Sequence, residues 1–189
     1  PNPSPRLLTA AELREGERWP LFTSSSATDS PDDPFMIEAV LSRSGTHPLT
    51  GTPIHRVGAG ILSPLDLNVI NGHEHAATHE LQFACTFPLS EPRDCSDAVS
   101  CPCAPFALAD QSPLCRSPEQ PDDTFYTTQY FTGARPGLRQ LELMRQLGDS
   151  AVVGTACGYP GTPVEGAARP YSYVPNFFAL EHRLRGVLE

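Results

Sequence analysis

At 189 residues the chain is long enough for one ordinary domain, but it carries 21 prolines and 14 glycines, and proline at about twice average usage implies much irregular backbone. The net charge is −9 and all 13 basic residues are Arg, so no basic stripe exists to neutralise phosphates, which argues against nucleic acid and against an anionic membrane surface as partners. No run approaches the ~20 apolar residues of a membrane span, so no membrane-spanning segment is expected in this chain, and its opening at Pro1 in place of Met suggests a processed chain or a fragment.

In chain order, Thr9-Ala10-Ala11-Glu12 has capping-box spacing, and Gly16 supplies a left-handed stop, which predicts a two-turn helix followed by an extended stretch through Trp19 to Phe22. Residues 24–34 are polar and rich in Pro and Asp and read as a surface loop. From Phe35 to Asn71 short apolar pieces alternate with turn signals such as Ser44-Gly45 and Thr50-Gly51. Residues 81–87 alternate and suit a strand with Leu81, Phe83, Cys85 and Phe87 on one face. Residues 88–123 are proline-rich, contain four cysteines and lack sustained periodicity, so they read as a stapled loop.

Cys85, Cys95, Cys101, Cys103, Cys115 and Cys157 form an even set of six, which allows 15 pairings. The only close pair, Cys101-Pro102-Cys103, lacks zinc-knuckle spacing, and no C-x-x-C redox motif occurs. Three disulfides are the reading these cysteines favour, with a metal site or free thiols as the alternatives. Disulfides imply an oxidising compartment: the periplasm, the cell surface or the medium.

The last third changes character. Pro136 can start a helix in which Leu138, Leu141, Met144 and Leu147 form a stripe, closed by Gly148. Residues 151–157 are nearly all small or apolar, as a strand covered on both faces would be, and Pro175 opens a second helix with Phe177, Leu180, Leu184 and Leu188 on one side. Helix, buried strand, helix is the unit of a parallel α/β sheet. No second buried run exists to pair with this strand, so its neighbours are expected on a preceding segment or another subunit. The expected divisions are a short helix and extended lead-in over 1–23, an irregular Cys/Pro-rich insertion over 24–135, and a helix-strand-helix unit over 136–189.

Several of these runs together resemble a bacterial family of secreted or surface-attached proteins with a von Willebrand factor A-like domain. The resemblance is carried by Asp33-Pro34-Phe35-Met36-Ile37-Glu38, Arg43-Ser44-Gly45-Thr46-His47-Pro48-Leu49-Thr50-Gly51, Asn71-Gly72-His73-Glu74 and Leu81-Gln82-Phe83-Ala84-Cys85-Thr86-Phe87-Pro88-Leu89. It continues through Arg93-Asp94-Cys95, Pro113-Leu114-Cys115, the Pro136 helix, and Tyr171-Ser172-Tyr173. It implies an α/β fold: the C-terminal part of an A-like, Rossmann-like sheet with a long disulfide-stapled insertion. It also implies that the partner is either another protein or the missing N-terminal half of the same domain. The Asp-x-Ser-x-Ser loop of a metal-dependent adhesion site is absent from these residues, so metal-dependent ligand capture falls on no position here.

The densest run of ligand-type side chains is residues 73–80, His-Glu-His-Ala-Ala-Thr-His-Glu. On a helix His75 and His79 would share a face and, with His73 and Glu74, could hold a divalent metal. Ala76 stands where the zincin pattern needs Glu, and Gly72 before the run favours a solvated polar loop. Ser24-Ser25-Ser26 and Ser172 lack a G-x-S-x-G elbow. Asp32-Asp33 and Asp122-Asp123 lack the alternation of a calcium loop, and Tyr126, Tyr130 and Phe131 read as ordinary strand packing. The favoured function is an exported, non-enzymatic binding or assembly domain of an A-like protein at the cell surface, with no cofactor required. The alternative is a metal-dependent hydrolase with His73, His75 and His79 as ligands and Glu74 or Glu80 as base.

Overall fold

The computed structural model of the protein describes residues 8–23, 30–48, 50–55, 68, 70–75, 80–97, 99–119 and 124–157, with positions 177, 180, 181, 184 and 185 beyond them. Among these residues the chain forms two separate two-stranded antiparallel sheets, each with its own core.

The first body brings residues 8–22 together with residues 138–153. Strand β1 (Leu8–Thr9) leads into helix α1 (Ala10–Glu15), and Thr9 caps that helix. The Thr9 hydroxyl accepts from the Glu12 amide at 3.0 Å, and the Glu12 carboxylate accepts from the Thr9 amide at 2.8 Å, which satisfies two of the helix's orphan donors. The left-handed residue after the helix is Glu17, φ 52°, and not Gly16, whose φ is −82°. Trp19–Phe22 is one helical turn, α2, where an extended stretch was expected. Helix α3 (Leu138–Leu147) and strand β4 (Val152–Val153) return to this body. Ala10, Leu13, Trp19 and Ala151 are buried together, with Leu141, Met144 and Val153 packed against them. The Trp19 indole N–H reaches the Ala10 carbonyl at 3.0 Å, so its polar edge is satisfied inside.

In the second body β2 (Cys85–Asp94) pairs antiparallel with β3 (Thr128–Ala134). Cys85 faces Ala134 and Pro88 faces Phe131; pairing resumes only at Arg93, opposite Gln129. Residues 89–92 therefore bulge against the single residue Tyr130. Pro88 and Pro92 bracket that bulge, as suits residues with no amide hydrogen to give a ladder. Phe83, Leu114, Cys95, Cys101, Cys103 and Cys115 form the core beneath. Phe83 lies flat against Gly133: a Cβ there would sit 2.6 Å from the Phe83 ring.

This architecture overturns the α/β expectation. The pairing of β4 is antiparallel, Thr9 to Val152 and Leu8 to Val153, and spans two residues. Val152 and Val153 are only half-buried, and Gly154 and Thr155 are exposed, so no strand covered on both faces runs through 151–157. The reason is local. The chain just before a capped helix supplies the pairing edge, and Cys157 is drawn to Cys85 by a disulfide. The segment read as an insertion carries the larger of the two sheets. Leu147 is exposed, and so are Phe177, Leu180 and Leu184, so the terminal apolar stripe covers no sheet among the described residues; Leu188 lies outside them. Two small unclosed antiparallel sheets are not part of an A-like or Rossmann-like sheet, and the resemblance to that family does not hold. The role of an A-like adhesive or assembly domain at the cell surface falls with it. Among the described residues no helix is long and apolar enough to cross a membrane.

Candidate functional site

The described part of the His-rich run, residues 73–75, lies in the interior. His73, Glu74 and His75 are all buried, and so are Asn71 and Gln82 beside them. Their backbone is not helical: Glu74 donates its amide to the His55 carbonyl at 2.9 Å, and Asn68 and Gly72 close a tight loop through paired bonds of 2.7 and 2.8 Å. Gly72 has φ +77°, and a Cβ there would lie 2.9 Å from Pro113. Both facts demand glycine, and together they pin this loop against the stapled segment.

Arg43 is the centre of the site. Its guanidinium makes a two-pronged contact with the Glu74 carboxylate, Nε to Oε2 at 2.9 Å and Nη2 to Oε1 at 2.7 Å. The remaining donors go to backbone carbonyls: Nη1 to Phe35 at 2.7 Å and Ile37 at 3.3 Å, Nη2 to Phe83 at 2.5 Å. Glu74 also accepts from the Arg43 amide at 2.9 Å and from Asn71 Nδ2 at 2.7 Å. The side chains of both partners are 2% exposed or less. A pair so far from water is tolerable only when nearly every donor and acceptor is met, as it is here.

Gln82 plays the part of a peptide group. Its Oε1 accepts from the His75 amide at 2.9 Å, while its Nε2 donates to the His75 and Val40 carbonyls, each at 2.9 Å. Its own amide donates to the Ala39 carbonyl at 2.8 Å. Segments 35–43, 71–75 and 82–83 are thus tied by side chains where a sheet would use backbone.

The two imidazoles flank Glu74. His73 Nδ1 lies 3.2 Å from the Glu74 carbonyl, which can only accept, so Nδ1 carries the proton. The ring stands edge-on to Phe125 at 5.9 Å. His75 lies over Phe83 at 5.2 Å. Among the described residues His73 Nε2 and both ring nitrogens of His75 find no hydrogen-bond partner. Burial holds the His73 imidazole down to about 4, with the nearby Arg116 and His75 adding to the effect and the Glu74 carbonyl and carboxylate opposing it. Burial likewise lowers His75, against the pull of the Glu74, Glu80 and Asp110 carboxylates.

Of the expected metal ligands His73, Glu74, His75 and His79, the described residues include the first three. Among the described residues no group of three His, Cys, Asp or Glu side chains is placed to hold a metal ion, and His79 lies outside them. Nor is either expected base free for hydrolysis: Glu74 is spent on Arg43 and Asn71, and Glu80 pairs with Arg135 on the surface. Ser24, Ser25, Ser26, Ser172, Asp122 and Asp123 also lie outside the described residues. Asp33 is used structurally; it caps the turn at Pro34–Met36, accepting from the Phe35 amide at 2.9 Å, and sits 3.4 Å from His47 Nε2. Tyr126 and Tyr130 meet edge to face at 6.3 Å.

The six cysteines pair as Cys85–Cys157, Cys95–Cys101 and Cys103–Cys115, closing separations of 72, 6 and 12 residues. Cys85, Cys95, Cys101, Cys103 and Cys115 are buried. Arg43, Asn71 and Gln82 carry the site; they stand in runs that bear the family resemblance, but none of them is among the expected functional residues. Their side-chain partners are 31, 3 and 7 residues away, and no helical or strand period connects the residues of these pairs.

No protein-family model, curated protein or solved structure matches this chain.

Proposed function

We propose that the chain works outside the reducing cytoplasm, in a periplasm, on a cell exterior or in the medium, and that it binds another protein there through its stapled segment. One observation carries the compartment: every cysteine is joined in a bridge, and such bridges persist where no thiol pool reduces them. The buried polar centre supports a structural and not a catalytic use of Arg43 and Glu74, since their charges face each other and backbone carbonyls.

The partner reading rests on what the short bridges hold out. Val99 is 88% exposed within the loop closed by Cys95–Cys101, and Phe106 is 71% exposed within that closed by Cys103–Cys115. Apolar side chains held on covalently closed loops lose little freedom on binding. Residues 94–123 carry Asp94, Asp97, Asp110, Glu119, Asp122 and Asp123 against the single base Arg116, so the fitting partner offers an apolar hollow rimmed by Lys and Arg.

Intact mass before and after reduction tests the compartment. A gain of six hydrogens supports it, and six thiols alkylated in the native protein, freshly isolated from its host, defeat it. A photo-crosslinking residue at position 106, compared with one at the exposed Arg139, tests the partner. A discrete protein adduct through 106 alone supports the surface, whereas equal adducts or none at both positions reject it.

A further inference from the structure

We infer that residues 73–75 form an acid-sensitive latch, in which protonation of His73 and His75 drives the segment out of the core and releases the Arg43–Glu74 pair. The geometry makes the three side chains one unit. An imidazole precedes and another follows the residue whose carboxylate neutralises Arg43, and all three side chains are buried. An added proton on His73 must go to Nε2, because Nδ1 already donates to the Glu74 carbonyl. There it creates a buried donor with no acceptor among the described residues, since Nε2 finds no hydrogen-bond partner there. Neither ring nitrogen of His75 has a hydrogen-bond partner among the described residues, so its imidazolium is equally unsupported.

The charges that face these rings do not rescue them. His73 meets Arg116 and His75, both unfavourable to a second cation, and the Glu74 carboxylate, already engaged by Arg43 and Asn71. His75 meets Arg135, which opposes protonation, and the carboxylates of Glu74, Glu80 and Asp110, of which Glu80 is already paired with Arg135. Solvating either ring means moving residues 73–75 outward. That movement breaks the Gln82 bridge and strips Arg43 of its counter-charge, freeing the loops whose carbonyls it holds at Phe35, Ile37 and Phe83. The output is therefore larger than the input: one or two protons unfasten three segments.

The sign follows from linkage. The closed state keeps His73 neutral down to about 4, whereas the opened chain takes the proton at the ordinary value of 6.5. The open state binds more protons in that window, so the closed state is fully favoured above 6.5 and loses ground as pH falls. His73 alone shifts the closed-to-open ratio by about 300-fold across it, and His75 acts in the same direction.

Hydrogen exchange of the Glu74 and His75 amides, corrected for intrinsic rates, measures the latch between pH 7 and 4. We expect their protection to fall by more than about 100-fold while the Arg18 amide, bonded to the Leu13 carbonyl at 2.9 Å in the other body, keeps its protection. The double substitution His73→Gln and His75→Phe, which removes both imidazoles of the latch, should flatten most of the profile. An unchanged profile in that variant overturns the latch. If the variant does not fold, ring-proton NMR of the unaltered protein decides: a His73 ring still neutral at pH 5.5 supports the proposal, and titration of His73 near 6.5 ends it.

Discussion

Around Trp19 the chain coheres as a small apolar protein does, whereas around Phe83 it depends on sulfur bridges and a buried ion pair. The first body needs only Ala10, Leu13, Trp19 and Ala151, a helix with its cap, and a strand pair of two residues. The second buries Asn71, His73, Glu74, His75 and Gln82, side chains that cost free energy to dehydrate. It repays that cost by convergence: Arg43 reaches Glu74 across 31 residues and the Phe83 carbonyl across 40. The contrast shows how loop-rich sequence can acquire a unique interior without regular structure. Apolar packing sets the first body by amount of buried surface, whereas the second is set by geometry, because a misplaced loop there strands a charge.

The largest expected effect breaks that second strategy. Glu74→Ala leaves the Arg43 guanidinium buried without its counter-charge and should destabilise the protein by about 3–5 kcal/mol in urea melts. A loss below about 1 kcal/mol would mean that water reaches Arg43 and that the centre is not dry. Replacing Cys85 and Cys157 together with Ala opens the longest bridge, of 72 residues. Loop entropy places that loss near the top of the usual range of about 2–4 kcal/mol, and removing Cys95 and Cys101, whose loop spans 6 residues, should cost least among the three. Equal midpoints for the two double variants would show that the bridges act on the native state and not on the unfolded chain.

Gly133→Ala strikes where strand meets ring. The new Cβ would sit 2.6 Å from a Phe83 ring that is 5% exposed. Phe83 is also held from above by His75 at 5.2 Å and by the Arg135 guanidinium at the same distance, so it has little room to retreat. A loss of about 1–3 kcal/mol is expected from overpacking, with exchange broadening of the Phe83 and His75 ring signals. The same substitution at Gly51, where a Cβ would meet nothing within 4 Å although φ is +69°, isolates the backbone contribution from the crowding.

The two bodies also differ in how far their residues announce them. Thr9 and Glu12 sit at capping-box spacing, and the Leu138 stripe has helical period, so α1 and α3 could be read directly. What local pattern could not convey was partnership. Residues 151–157 read as a strand covered on both faces because they are small and apolar; the pairing edge that the chain offers is β1, antiparallel and two residues long. The run 81–87 alternates, yet Gln82 and Ala84 are as buried as Phe83 and Cys85, because loops from 35–43 and 71–75 cover the face that alternation assigns to solvent. The His-Glu-His run suggested ligands through residue type alone. Its real neighbour, Arg43, stands in a turn-rich stretch where neither period nor spacing links it to Glu74. Long-range polar convergence has no period, and that is why the candidate site was the less legible of the two regions.

The smallest effect tests the apolar body on its own terms. Thr9→Ala removes the hydroxyl that accepts from the Glu12 amide and loosens the reciprocal bond from the Thr9 amide to Glu12. An N-cap of this kind contributes about 1 kcal/mol. Thr9 is also the residue of β1 that pairs with Val152, and this second role is carried by its backbone, which Ala preserves. The loss should therefore stay near 1 kcal/mol and appear as fraying of α1, read by exchange of the Glu12 and Leu13 amides, with the Glu74 and His75 amides untouched. A matching loss of protection at Glu74 would mean that the two bodies unfold as one, and the contrast between them would then be one of chemistry without being one of stability.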